Sequence, residues 1–259
     1  MSRSIAFFVC LPCSCLAVQA TAEKVLIVAD EWPQMAVLAD YLQAQGGYDV
    51  EKAKPDELPG DLTGYDGVFQ FVHGALPDAC AQQLIAYAQE GGRLVVLHHG
   101  ISSKKKETQG WFAFLGIELD RTDGAEHYYR WVHGVTFTLV NVNPGHYITS
   151  HNVTYPRKVE YQSSDQPSPT VELPAIALAN TEVYFNHQFT DARAKTVLFG
   201  VRYEDAKTGE VLMQDRAGWY KQTGRGYLFY FQPGHAVSDF EQADYCQILL
   251  NCLTWKPGS

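Results

Sequence analysis

The chain has 259 residues, of which 46% are hydrophobic, 19% charged and 13% aromatic, the profile of a globular protein large enough for one α/β domain. Its formal net charge of −9 argues against a phosphate-backbone partner, so nucleic acid is not an expected ligand.

Residues 1–22, MSRSIAFFVCLPCSCLAVQATA, carry Arg3, an uncharged apolar stretch from Ile5 to Val18, and Ala20-Thr21-Ala22 in a small-x-small pattern. This layout predicts a signal peptide, a mature domain over 23–259, and an exported protein, periplasmic or extracellular. The stretch is short for a bilayer span and no later segment is long enough, so no membrane span is expected in the mature chain. Pro12-Cys13-Ser14 before Cys15 does not match the pattern that precedes a lipid-anchored cysteine. Beyond the segment remain Cys80, Cys246 and Cys252, an odd number without a CxxC pair, which indicates neither a disulfide framework nor a zinc knuckle.

Lys24 to Ala29 is a short apolar, β-branched run. A helix follows from Pro33 to about Gln45, with Met35, Leu38, Ala39 and Leu42 on one face, and Gly46-Gly47 ends it. Tyr48 to Lys52 is a second strand, Val68 to Val72 a third, Pro77 to Glu90 a helix, and Leu94 to Leu97 a fourth strand. Strands alternating with helices at this spacing predict an open, mostly parallel sheet flanked by helices on both faces. From Gln109 to Thr190 the pattern changes to short β-like runs, among them Val135 to Val142 and Ala175 to Ala179, with a loop at Asp165 to Pro169. The chain then gives a strand over Thr196 to Tyr203, a turn at Lys207 to Gly209, a strand over Gly226 to Phe231, and a closing helix from about Phe240 to Thr254. The expectation is an α/β core decorated by an antiparallel β-rich insertion.

In open parallel sheets ligands bind beyond the carboxyl ends of the strands. Four places qualify: Asp30-Glu31-Trp32, His73-Gly74, His98-His99-Gly100 and Gly234-His235. Two imidazoles at the end of a buried strand carry a desolvation cost that function would explain, so His98 and His99 lead, with His235 beside them. Single histidines such as His73, His133, His151 and His187 read as hydrogen-bonded surface groups. Gly100 and Gly234 allow tight turns and close approach of a ligand. Glu182, after the run ending at Ala179, is the first choice of carboxylate, and Glu126 beside His127 the second.

The position of LHHG invites comparison with a nucleophile elbow, but the tip carries histidine, so covalent acyl transfer there is disfavoured. Imidazoles and carboxylates without a nucleophile support proton transfer or metal binding. Three histidines and a glutamate are able to hold zinc or another divalent ion, although no HxxxH or HExxH spacing is present. Aromatic residues are dense around these places, and Trp219, flanked by Arg216, Gly218 and Lys221, reads as the least core-like of them.

GGRLVVLHHG (Gly91 to Gly100), GHYIT (Gly145 to Thr149), TEVY (Thr181 to Tyr184), GWYKQTGRGYLFYFQPGH (Gly218 to His235) and LLNCLTW (Leu249 to Trp255) together resemble the ThuA-like, or trehalose-utilisation, family over nearly the whole mature chain. The resemblance implies a class I glutamine amidotransferase-like, flavodoxin-like fold without the amidotransferase nucleophile. It also implies a small-molecule carbohydrate as partner, with 3-keto-glycosides as one such class. By the same resemblance His98 and His99 match the double histidine, Glu182 and Tyr184 the acidic-x-aromatic motif, Trp219 the tryptophan before the glycine-rich turn, and His235 the late Gly-His. The site then comprises His98, His99, Glu182 and His235 in acid-base roles, and Tyr184, Trp219 and Gly100 around the substrate.

Overall fold

The computed structural model describes residues 22–125, 128–163, 168–191 and 195–258. The expected signal segment and most of the Asp165–Pro169 loop lie outside them. The described residues form twelve strands: β1 Lys24–Ala29, β2 Asp49–Ala53, β3 Gly67–Phe71, β4 Arg93–Leu97, β5 Ile117–Leu119, β6 Arg130–Asn141, β7 Arg157–Tyr161, β8 Val171–Phe185, β9 His187–Phe189, β10 Thr196–Glu204, β11 Val211–Thr223 and β12 Gly226–Phe231. The helices are α1 Pro33–Gly46, α2 Asp78–Gln89, α3 Trp111–Leu115, α4 Tyr147–Ser150, α5 Val237–Phe240 and α6 Ala243–Thr254.

Local chemistry explains most of these boundaries. Proline opens α1, and Gly47 closes it in the left-handed region at φ 71°, with the Gly47 N–H reaching the Gln43 carbonyl and the Tyr48 N–H the Leu42 carbonyl. Met35, Leu38, Ala39 and Leu42 form its buried face, as the spacing predicts. Strands β1, β4 and β12 are apolar at consecutive positions because both of their faces are covered. Val25, Ile27, Val95, Leu97, Phe229 and Phe231 join α1 and α6 in one core. Leu26, Val28, Leu94, Val96, Leu228 and Tyr230 join α2 and α3 in a second core on the opposite face.

The strands of the large sheet run in the order β2-β1-β3-β4-β12-β11-β10-β6-β8-β7. The expectation of a mostly parallel sheet with a separate insertion needs correction. Parallel pairing is confined to β2, β1, β3, β4 and β12, and every pairing from β12 to β7 is antiparallel. The antiparallel strands extend the same sheet, because short turns join β10 to β11 and β11 to β12 where a parallel pair would need a crossover helix. Strand β11 is unexpected from its sequence: it carries Asp215 and Lys221 inside the protein. Asp215 accepts the Tyr161 hydroxyl at 2.6 Å, and Lys221 pairs with Asp191 at 2.5 Å.

Among the described residues no helix is long and apolar enough to cross a membrane. Among the described residues Cys80, Cys246 and Cys252 are buried free thiols.

Candidate active site

The five parallel strands end on one rim, and three of them deliver histidines there. His73 follows β3, His98 and His99 follow β4, and His235 lies four residues beyond β12. The end of β1 supports the rim from below, where Asp30 accepts the N–H groups of His73 and Gly74, each at 2.7 Å, and so shapes the turn after β3. Two bonds from the buried Lys105 hold the same turn, from its Nζ to the carbonyls of Val72 (2.5 Å) and His73 (3.1 Å).

Strand β8 is separated from β12 by four antiparallel pairings, so it runs in the same direction as β12 and β4, and its carboxyl end reaches the same rim. Only Phe137 to Asn141 of β6 pair with β10. Beyond the register shifts between His133 and Phe137, the ribbon of β6 and β8 leaves β10 and lies over the rim. In that ribbon His133 sits opposite Glu182 and Trp131 opposite Tyr184, and the period of two puts all four on one face. Asp239 ties the ribbon to the last loop. It accepts the Thr181 hydroxyl at 2.6 Å, the Gly234 N–H at 3.0 Å and the Ala236 N–H at 3.2 Å.

Glu182 is the centre of the assembly and is 2% exposed. Its Oε2 lies 3.0 Å from His98 Nε2, 3.2 Å from His235 Nδ1 and 3.5 Å from His99 Nε2, and its Oε1 lies 3.2 Å from His133 Nδ1. The Tyr184 hydroxyl donates to Oε2 at 3.1 Å. Burial would raise the Glu182 carboxyl, but its contacts with the imidazoles of His98 and His99 outweigh burial and hold the group below the usual carboxylate range. Burial drives His99 down to about 3, against the raising effect of Glu182, so its ring is neutral at pH 7. His235 is also lowered, by burial and then by the neighbouring His98.

His98 is the most constrained member. Its backbone adopts φ 43°, which a residue with a Cβ adopts at a cost, and its side chain is wholly buried. Its Nδ1 lies 2.7 Å from the Gln232 carbonyl oxygen, so that nitrogen is the N–H donor and Nε2 faces Glu182. The ring stacks on Tyr184 at 4.8 Å between centroids.

A cavity of about 220 Å³ opens over this cluster, lined by His99, Glu182, Tyr184 and His235, by His73 and His133, by Tyr129 and Trp131, and by Ser102 to Lys104. That volume is below the ~300–1,000 Å³ of sites for drug-sized ligands and suits a ligand of about one ring. Of the two adjacent histidines, His99 faces the cavity and His98 stands behind it.

Two expected substrate contacts are placed elsewhere. Trp219 is fully buried in the second core against Phe189 and Tyr230, because β11 is covered on both faces. Gly100 is needed for packing: a Cβ there would collide with Val96 Cγ1 and lie 2.7 Å from Gln70 Oε1. Conversely, His73 and His133, read from sequence as surface groups, line the cavity. For His73 the available signal is its place after an apolar strand. For His133 it lies in the cross-strand register with Glu182, which sequence spacing alone does not reveal. His151 stacks on Tyr147 at 4.4 Å, and His187 is wholly buried, both outside the cavity. Glu126 and His127 lie outside the described residues.

Comparison with known proteins agrees with this architecture. A ThuA-like protein from Bacteroides uniformis superposes with a TM-score of 0.58 at 15% identity, over 92% of this chain and 93% of that one. β-Galactosidases from Bacillus circulans sp. alkalophilus (TM-score 0.55, 13% identity) and Rahnella sp. R3 (0.50, 15%) match over 91% and 88% of this chain, which spans 31% of each enzyme. These likenesses concern the fold. No match is found among curated protein sequences. The family model described as "ThuA: Trehalose utilisation" matches residues 19–256, and the chain therefore belongs to the ThuA family.

Proposed function

We propose that this protein is exported and processes a sugar or sugar derivative in the histidine-lined cavity, by acid-base chemistry and not by amidotransfer. The observation that carries the reading is a buried carboxylate, Glu182, within 3.5 Å of four imidazoles at a cavity whose wall includes Tyr129 and Trp131. Aromatic faces complement the apolar faces of a sugar ring, and a neutral imidazole beside a carboxylate can move a proton at neutral pH. A 3-keto-glycoside suits such a site, since its carbonyl acidifies the adjacent C–H and proton abstraction needs no covalent intermediate. Where an amidotransferase elbow would offer a thiol, β4 offers His98 and His99, and burial raises all three thiols of residues 23–259. Arg3, the apolar stretch after it and Ala20-Thr21-Ala22 support export.

The test is a screen of purified protein against native and 3-keto disaccharides. Turnover of the keto forms is expected, with a loss of roughly 10²- to 10⁴-fold in His99→Ala. Binding without product, undisturbed in Glu182→Gln, would replace the reading with non-catalytic sugar binding; neither binding nor product would remove it.

A further inference from the structure

Glu182 Oε2 has three imidazole nitrogens around it: His98 Nε2 at 3.0 Å, His235 Nδ1 at 3.2 Å and His99 Nε2 at 3.5 Å. The four ligand atoms all lie within 4.8 Å of one another. A tetrahedral ion with bonds of about 2.0–2.1 Å holds its ligands about 3.3 Å apart, so the three carboxylate-to-imidazole spacings already have the dimensions of a metal shell. Hydrogen bonding points the same way. His98 Nδ1 meets the Gln232 carbonyl oxygen at 2.7 Å and therefore carries a hydrogen, which leaves Nε2 as the ring nitrogen that faces the carboxylate. Nε2 and Oε2, 3.0 Å apart, meet through a shared proton or a shared cation. The Tyr184 hydroxyl, 3.1 Å from Oε2 and 3.2 Å from Nε2, has one hydrogen for both. His235 Nδ1 is buried with no hydrogen-bond partner among the described residues, although it lies beside Oε2. A proton would satisfy one of these pairs, whereas a divalent cation satisfies all the nitrogens and the carboxylate together. An imidazole anchored through its other nitrogen to a backbone carbonyl, as His98 is, is the usual way a metal-binding histidine is oriented.

We propose that His98, His99, His235 and Glu182 bind one divalent transition-metal ion. Three imidazoles and one carboxylate favour zinc or its first-row neighbours over calcium or magnesium, which prefer oxygen shells. This deepens the sugar reading and rests on it only for the role of the ion: bound there it would supply a Lewis acid for a sugar carbonyl, and His73 and His133, which line the cavity without joining the four ligands, would be the imidazoles left to move a proton.

The experiment strips the purified full chain with chelator, dialyses it against zinc and, separately, cobalt(II), and measures bound metal and visible absorption without any sugar. One equivalent per chain is expected, with cobalt bands of a four- or five-coordinate site. Affinity should fall in His235→Ala and Glu182→Gln by more than the roughly 10- to 100-fold typical of losing an outer partner, while His133→Ala retains one equivalent. Circular dichroism confirms that each variant is folded, and the partly exposed His235 makes its replacement the mildest. Substoichiometric binding by the wild type at micromolar zinc, or equal affinity in His235→Ala, overturns the assignment. Because no sugar is present, that result leaves the sugar reading standing, and failure of the sugar screen leaves the metal result untouched.

Discussion

Replacing His98 by alanine and, separately, by glycine tests whether the backbone at the double histidine is held under strain. Either change removes the ring that donates to the buried Gln232 carbonyl and stacks on Tyr184. An orphaned buried acceptor costs about 1–3 kcal/mol and a lost aromatic stack about 0.5–1.5 kcal/mol, so His98→Ala should destabilise the fold by roughly 2–4 kcal/mol. Alanine must still adopt φ 43°, which costs a residue with a Cβ about 1–2 kcal/mol; glycine does not. At an ordinary helix or strand position glycine is the worse residue by about 0.5–1 kcal/mol. Here the order should invert, with His98→Gly more stable than His98→Ala by about 1 kcal/mol. Urea unfolding in the presence of chelator reads this as a higher midpoint at unchanged slope. A His98→Gly variant less stable than His98→Ala would show that the surroundings do not impose the left-handed backbone and that no strain is held there.

Two further outcomes are expected. Trp219→Ala should cost about 3–5 kcal/mol in thermal or urea unfolding, as for a buried tryptophan, whereas Trp131→Ala, at 38% exposure, should leave stability within about 1 kcal/mol and weaken sugar binding; the reverse pattern would exchange their roles. His187 is held well below its ordinary value by complete burial, and neither ring nitrogen has a hydrogen-bond partner among the described residues. Below about pH 6.5 the unfolded chain takes up a proton there that the folded chain refuses, so stability falls as pH falls, by up to about 1.4 kcal/mol per pH unit. His187→Phe should flatten that dependence between about pH 6 and 4.5, and an unchanged slope would mean that the folded state also accepts the proton.

What the sequence discloses follows from where its constraints are local. Apolar runs such as Val25 to Ala29 and Leu94 to Leu97 are legible because both faces of those strands are buried, and the polar residues that end them mark the rim. His98, His99 and His235 are accessible by that route, and Glu182 by its place after an apolar run. Strand β11 is not, because Asp215 and Lys221 become tolerable inside only through Tyr161 and Asp191, which are distant in sequence. Trp219 misleads for the same reason, its polar neighbours suggesting a surface that β10 and β12 in fact enclose. His133 acquires meaning only once β6 is registered against β8, and Gly100 only once Val96 and Gln70 are seen beneath it.

The ribbon that carries Glu182 over the rim makes the pocket a junction between the two halves of the sheet. The Glu182–His98 contact joins positions 84 residues apart, the first on the antiparallel side and the second on the parallel side. A chain with only its parallel half organised would present His98 and His99 without their carboxylate. Occupation of the pocket therefore reports that folding is complete, and any ligand selective for the closed junction adds RT ln(1 + [L]/Kd) to the stability with which the halves are docked. The long-range closure that slows such a topology to fold would then be reinforced by the molecule the finished site takes up.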